Sequence, residues 1–260
     1  MALTRRRASR EPRLLACGAF AGLLVAWAPV GAADPAPPMG AELVKPGLYR
    51  VAGPGAGTVV RLSADGPIVV DANRAGTYEA LIAAIQRLAK RPDAPVRAVI
   101  LTAAGPEQAG NVPRFADAGV PVVVSTRALG RLAQGERGSG GQAGVHKPPL
   151  SYDAGYVLQS GGVQVEVEHV GSGRTGADSV AYFRDLRVVA VGELYTHGTP
   201  QPDCASGGSL AGWAAAITHM LYFDFDVAVP SKGAPVGKRE LVEFKEKLEK
   251  LAQGEDCRRH

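Results

Sequence analysis

Short apolar bursts separated by turn residues run along this chain. GLYRVA, TVVRLS and PIVVDA, within residues 47–72, are rich in Val, Ile and Leu and flanked by Gly, Pro and Asp. They predict a meander of short strands. GPGAG at Gly53–Gly57 lacks the Lys and following helix of a phosphate-binding loop and reads as a hairpin turn. The period then changes. From Thr77 to Lys90 the apolar positions are Leu81, Ile82, Ile85 and Leu88, the three-and-four spacing of an amphipathic helix. VRAVILT (Val96–Thr102) predicts a buried strand that runs into a loop at Ala103, and PVVVS (Pro121–Ser125) predicts another, followed by a second helix in TRALGRLAQ.

Gly135–Gly144, GERGSGGQAG, predicts a flexible loop. Strands resume at VQVEVEHV, SVAYF and RVVAVG; a helix over Ser209–Leu221, a strand in DVAVP and a last helix over Lys238–Leu251 follow. That last helix carries an apolar stripe at Leu241, Phe244, Leu248 and Leu251 on an otherwise charged surface. Strand bursts and helices alternate without an internal repeat, which predicts an α/β layered sandwich, sheets inside and helices outside, in one domain.

The first residues obey a different pattern. Arg5, Arg6, Arg7, Arg10 and Arg13 precede the apolar run Leu14–Trp27, and Pro29 and small residues follow up to Ala33. A basic start, a short apolar run and a small-residue cleavage point are the parts of a secretory signal peptide, and the run is shorter than the about 20 residues of a membrane span. Residues 1–33 are therefore expected as a signal peptide cut after Ala32 or Ala33, an uncleaved anchor being the other reading. Residues 34–42 are expected as a Pro-rich leader and 43–260 as the folded domain, in a periplasmic or secreted protein with no membrane contact after cleavage. The 29 Lys+Arg against 25 Asp+Glu overstate the charge of that domain. Without the five N-terminal arginines and Glu11 the remainder balances, so composition makes no case for nucleic acid as a partner. Cys17 leaves with the signal. Cys204 and Cys257 remain, as a disulfide or as two unrelated thiols, and no CxxC spacing marks a zinc ribbon or redox motif.

Six segments carry a resemblance in order: PIVVDA at Asp71; VILT entering a loop, then AGN and a helix; GSGRTGADSVAYF; VVAVGELY; GGSLAGW; and VPSKGAPV. Together, from about Leu43 to Gln253, they resemble the metallo-β-lactamase superfamily. The resemblance implies a four-layer αββα sandwich and a site framed by that family's H-x-H-x-D-H, G-x-x-H-T-x-G-D, Gly-Asp and P-G-H-G-P-V motifs. The family's metal-ligand positions fall here on Ala103, Gly105, Glu107, Gln108, Arg174, Glu193 and Lys232, and none keeps the family's residue. Zinc needs three or four converging N, S or O donors. Ala103 and Gly105 supply none, and the cations Arg174 and Lys232 have no lone pair to give. No zinc or other cofactor is expected, and the family's metal chemistry does not transfer.

The replacements leave two carboxylates and two cations. Arg174 and Lys232 are expected to stand in for the metals by pairing with Glu193 and Glu107, because a buried carboxylate without a partner is costly; solvated charges at a rim are the alternative. Asp71 and Asn73 are expected to support the loop at Ala103 from below. His169, His197 and Tyr195 are further candidates for the pocket, and Asp178 is expected to fix a turn. A metal rebuilt on His169, His197, Glu107 and Glu193 is opposed by the nearby cations. His219 is expected in packing, and no G-x-S-x-G or Cys–His arrangement supports a nucleophilic hydrolase.

The favoured function is a zinc-free pseudoenzyme that binds a small polar or anionic ligand, or a protein partner, in the old cleft. One alternative is a metal-independent or alternatively metallated hydrolase of esters, thioesters or lactams. The other is a structural exported protein without a ligand.

Overall fold

The computed structural model describes residues 39–138, 149–254 and 257, the side chains of 133–138 excepted. The chain opens with an antiparallel meander, β1 (Ala41–Lys45), β2 (Leu48–Val51), β3 (Thr58–Arg61) and β4 (Ile68–Val70). It crosses through α1 (Tyr78–Ala89) to β5 (Ala98–Ile100), which lies parallel to β4. The short α2 (Pro106–Ala109) and α3 (Val112–Asp117) lead to β6 (Val122–Ser125), and α4 (Thr126–Gly138) precedes β7 (Leu150–Tyr152). These seven strands form one sheet in sequence order.

A second sheet has the order β12-β11-β10-β9-β8. Its strands β8 (Gly155–Ser160), β9 (Val163–Gly171), β10 (Asp178–Phe183) and β11 (Val188–Gly192) pair antiparallel. After α5 (Leu210–Leu221), β12 (Val227–Pro230) joins β11 in parallel, and α6 (Lys238–Ala252) follows.

Burial on both faces explains the unbroken apolar runs. Side chains alternate along a strand. Ile68, Val70, Ile100 and Val123 therefore pack between the sheets against Val165, Val167, Phe183 and Ala190. Their neighbours Val69, Val99, Val122 and Val124 pack outward against Leu81, Ile85 and Phe115 of α1 and α3. On the second sheet Val189 and Val191 face Trp213 and Ile217 of α5 and Leu241, Phe244 and Leu248 of α6. Three apolar layers thus separate four structural layers, the αββα order that the segments implied.

Three differences from the expected elements have local causes. The first sheet begins at Ala41, so Ala41 and Glu42 are strand residues paired with Val51 and Arg50 instead of the end of the leader. β7 and β8 are added strands; β8 alternates exposed and half-covered residues at a sheet edge, and so carries little apolar signal. α4 continues through Gly135 to Gly138, where a loop was expected; an internal glycine costs a helix only about 1 kcal/mol. Residues 1–38, the remainder of the expected loop, His146 and His260 lie outside the described residues.

Candidate functional site

The ends of β4, β5, β10 and β11 meet at one edge of the sandwich. Asp71 leaves β4 in the left-handed region, φ 64°, a conformation Asp tolerates better than branched residues. This turn aims its carboxylate at Thr102, which donates from its amide at 2.9 Å and from its hydroxyl at 2.7 Å. Burial pushes the Asp71 carboxyl up to about 7; the Thr102 hydrogen bonds oppose this and the charge of Glu193 adds to it. Thr102 in turn accepts from the amide of Ser179 on β10, which joins the two sheets under the site.

A matching bracket holds the second sheet. Asp178 accepts from the amide and hydroxyl of Thr175 at 2.7 and 2.8 Å, and so fixes the turn that carries Arg174. Burial pushes its carboxyl up to about 6, against those hydrogen bonds; Glu193 raises it further and Arg174 lowers it. Glu193 follows Gly192, whose positive φ and close approach to Thr102 exclude a side chain; a Cβ there would stand 2.3 Å from the Thr102 hydroxyl. Trp213 of α5 then donates its indole N–H to the Leu194 carbonyl at 2.8 Å. The residue that packs the core also sets the Glu193 segment.

On this floor Arg174 Nη1 meets Glu193 Oε2 at 2.9 Å, with side chains 37% and 16% exposed. Lys232 does not complete a second pair. It is exposed and, among the described residues, makes no ion pair. The loop Gly53–Gly57 bonds to the backbone of both segments: Ala56 N–H donates to the Glu107 carbonyl and Gly57 N–H to the Ser231 carbonyl. That loop is therefore more than the hairpin turn expected from its glycines. Asn73 also serves it, donating to the Ala56 carbonyl at 2.7 Å, and does not support the Ala103 loop.

The remaining candidates disperse. Ala103 and Gln108 are buried, Gly105 precedes α2, and Gln108 Nε2 has no hydrogen-bond partner among the described residues. His169 Nδ1 lies 2.8 Å from the Asp178 carbonyl, and burial above all lowers its pKa. His197 is exposed, with Nε2 3.1 Å from the Ala234 carbonyl. Tyr195 packs on Phe244 of α6, with ring centroids 5.0 Å apart. His219 is exposed instead of packed in the core and pairs with Glu168 at 2.7 Å. Among the described residues no three His, Cys, Asp or Glu side chains converge as a metal requires. With a methyl, a bare glycine, a buried amide and a carboxylate spent on an arginine at the ligand positions, this donor set does not fit zinc.

Beside the Arg174–Glu193 pair a cleft of about 880 Å³ opens, lined by residues including Arg74, Gly105, Glu107, Arg127, Arg131 and Ser206. Sequence reasoning missed the arginines. Arg127 and Arg131 stand four apart on a helix whose existence was read, which puts them on one face; that spacing was the available signal. Arg131 is held by Asp203 at 3.3 Å and by the Ser206 carbonyl at 3.5 Å. Arg74 and Arg127 are exposed and, among the described residues, make no ion pair. The wall at Ser206 is fastened from behind: Asp203 N–H donates to the Arg174 carbonyl, and Cys204 is disulfide-bonded to Cys257 with Cα atoms 5.6 Å apart.

No protein-family model matches the chain, and no curated protein matches it in sequence. Solved structures do match. A metallo-β-lactamase from Pontibacter korlensis superposes with a TM-score of 0.69 at 19% identity, over 81% of this chain and 99% of that one. The metallo-β-lactamase FIM-1 from Pseudomonas aeruginosa, in its mono-zinc form, gives 0.65 at 18% identity over 84% and 97%. The sec-alkyl sulfatase PisA1 gives 0.64 at 17% identity, over 82% of this chain and 42% of its own. The order of layers, the strand-end site and these superpositions agree: the chain has the metallo-β-lactamase fold.

Proposed function

We propose that this chain is an exported, zinc-free pseudoenzyme that binds a small polar or anionic ligand in the cleft beside its former metal positions. The observation that carries this reading is the cleft itself: about 880 Å³, with three arginines and one carboxylate, Glu107, on its wall among the described residues. That volume lies within the range of small-molecule sites, about 300–1,000 Å³. An unpaired guanidinium at such a wall is a ready reader of carboxylate, sulfate or phosphate.

The reading moves charge recognition away from Arg174, whose guanidinium is engaged by Glu193, to side chains that are free to meet a ligand. Zinc is proposed absent on donor chemistry, and the hydrolase alternative gains no nucleophile from the geometry. Export rests on the N-terminal pattern and gains support from the Cys204–Cys257 disulfide, a bond of oxidising compartments. Nucleic acid is not proposed as a partner.

Two measurements test this. Metal analysis of the purified mature chain is expected to find well under one equivalent of zinc; a stoichiometric amount that resists mild chelation overturns the zinc-free reading. A thermal-shift screen of small organic anions at constant ionic strength is expected to yield stabilising ligands by mass action. If no ligand raises the melting temperature of the parent more than that of the Arg127→Gln variant, the binding reading fails.

A further inference from the structure

The placement of the two unpaired arginines says more about the ligand than its sign. This inference rests on the cleft being a binding site, and it narrows the chemistry of the occupant. Arg74 follows β4 and Arg127 follows β6, and in the sheet β5 lies between these strands. Neighbouring strands are about 4.8 Å apart, so the two chain segments leave the sheet about 10 Å from each other. Both arginines line the same cleft. A single small oxyanion fills only a small fraction of about 880 Å³.

Apolar side chains also line the cleft, Ala104, Ala109, Pro113 and Leu132 among them. Burial of hydrocarbon against such a wall is favourable in proportion to the area covered. Arg131 adds bulk and long-range charge, but its guanidinium is already engaged by Asp203 and the Ser206 carbonyl through one donor each. Glu107, the wall's one carboxylate among the described residues, repels a third negative group.

We propose that the cleft takes an elongated organic dianion, two acidic groups joined by an apolar body, with one end read by Arg74 and the other by Arg127. Straight-chain dicarboxylates such as octanedioate have this chemistry. Inorganic phosphate does not.

The test is calorimetric titration of the mature chain with octanedioate, octanoate and inorganic phosphate at one ionic strength. Octanedioate is expected to bind about ten-fold more tightly than octanoate, the gain from a second charge-assisted pair, while phosphate gives no saturable heat. Both arginines are exposed, so Arg74→Gln and Arg127→Gln are expected to fold, and each reduces octanedioate to the affinity of octanoate. Equal affinity for octanoate and octanedioate overturns the two-ended reading and leaves the cleft as a binding site for simpler anions. Saturable phosphate binding, lost in either variant, overturns the requirement for an apolar body. If none of the organic anions binds, this inference and the proposed function fall together.

Discussion

The floor of the site and its rim are built from similar residue types under different constraints. On the floor, Asp71, Thr102, Asp178 and Thr175 are all buried, and each carboxylate accepts both an amide and a hydroxyl. A buried polar group stripped of its partner costs about 1–3 kcal/mol, so no member of such a pair changes alone without penalty. At the rim the positions that match the family's ligand pattern hold a methyl, a bare glycine, one half-exposed ion pair and a solvated lysine. Among the described residues none of these accepts an amide and a hydroxyl together as the floor carboxylates do.

The largest expected effect concerns how the rim is held where it lacks such brackets. The wall at Ser206 hangs on the Cys204–Cys257 bond, which closes a loop of 53 residues' separation. The chain-entropy estimate for a loop of that length is about 4 kcal/mol, and measured values range from about 2 upward. Reduction by a dithiol, or Cys204→Ser, is expected to lower the unfolding free energy by about 2–4 kcal/mol in urea titrations. The same change is expected to weaken cleft binding, because Asp203 and Ser206 also position Arg131. If the reduced chain unfolds at the parent's midpoint, the covalent tie contributes nothing to the rim.

The floor comes next. Replacement of Asp71 by Ala strands the Thr102 amide and hydroxyl and is expected to cost about 2–3 kcal/mol. Asp71→Asn keeps an acceptor, tolerates the left-handed backbone and removes a charge that burial disfavours. Its signature is in the pH dependence. The folded-state pKa values of Asp71 and Asp178, about 7 and about 6, lie above the unfolded value, about 3.9. Their contribution to stability is thus complete below about pH 4 and is lost as pH rises through about 6 to 7. Asp71→Asn is expected to flatten that fall and to gain about 1–3 kcal/mol at pH 8 relative to the parent. Parallel stability curves for variant and parent between pH 4 and 8 would contradict the buried-carboxylate account.

A smaller effect divides the rim pair itself. Arg174 is more than one-third exposed, so its bond to Glu193 is worth about 1 kcal/mol and not the several of a buried pair. The two truncations are not equivalent. Arg174→Ala leaves Glu193 beside Asp71 and Asp178, whose carboxyls already feel its charge; the expected loss is about 1–2 kcal/mol. Glu193→Ala removes that repulsion and is expected within about 0.5 kcal/mol of the parent. The double variant is expected to recover part of the Arg174→Ala loss, and additive losses would show that the pair is not coupled.

The same division explains what the sequence disclosed. Strands covered on both faces, such as IVV and VVAVG, are continuous apolar runs, and the helices α1 and α6 repeat their buried residues at helical spacing, so the layers were legible. β8 alternates weakly at an edge and β1 lies next to the Pro-rich leader, and neither gave a strand signal. At the site, the Asp71 and Asp178 brackets lie within motifs that the resemblance marks. Asp203 and Arg131, by contrast, are 72 positions apart, and no local pattern joins them. Lys232 was paired with Glu107 by charge counting alone. The Gly53–Gly57 loop bonds to the backbone beside both, through two backbone hydrogen bonds that any residue except proline can donate, so no sequence pattern announces it.

Lys232 therefore supplies the smallest and most discriminating measurement. It sits at the closing ligand position of the family's pattern, yet its side chain is exposed and, among the described residues, in no ion pair. Surface substitutions of that kind change stability by no more than about 0.5 kcal/mol. Lys232→Ala is expected to melt with the parent, to bind octanedioate as the parent does, and to show no coupling to Glu107→Ala. A loss above about 1 kcal/mol that vanishes in the Glu107→Ala background would mean that the two charges meet across the loop. The rim would then share the floor's constraint at this position, and the contrast between them would fail there. A null result on stability with a ten-fold loss of octanedioate affinity would have a different meaning. It would place Lys232 in the cleft's electrostatic field, a second ring of charge beyond Arg74 and Arg127, while leaving the two-layer account of the site intact.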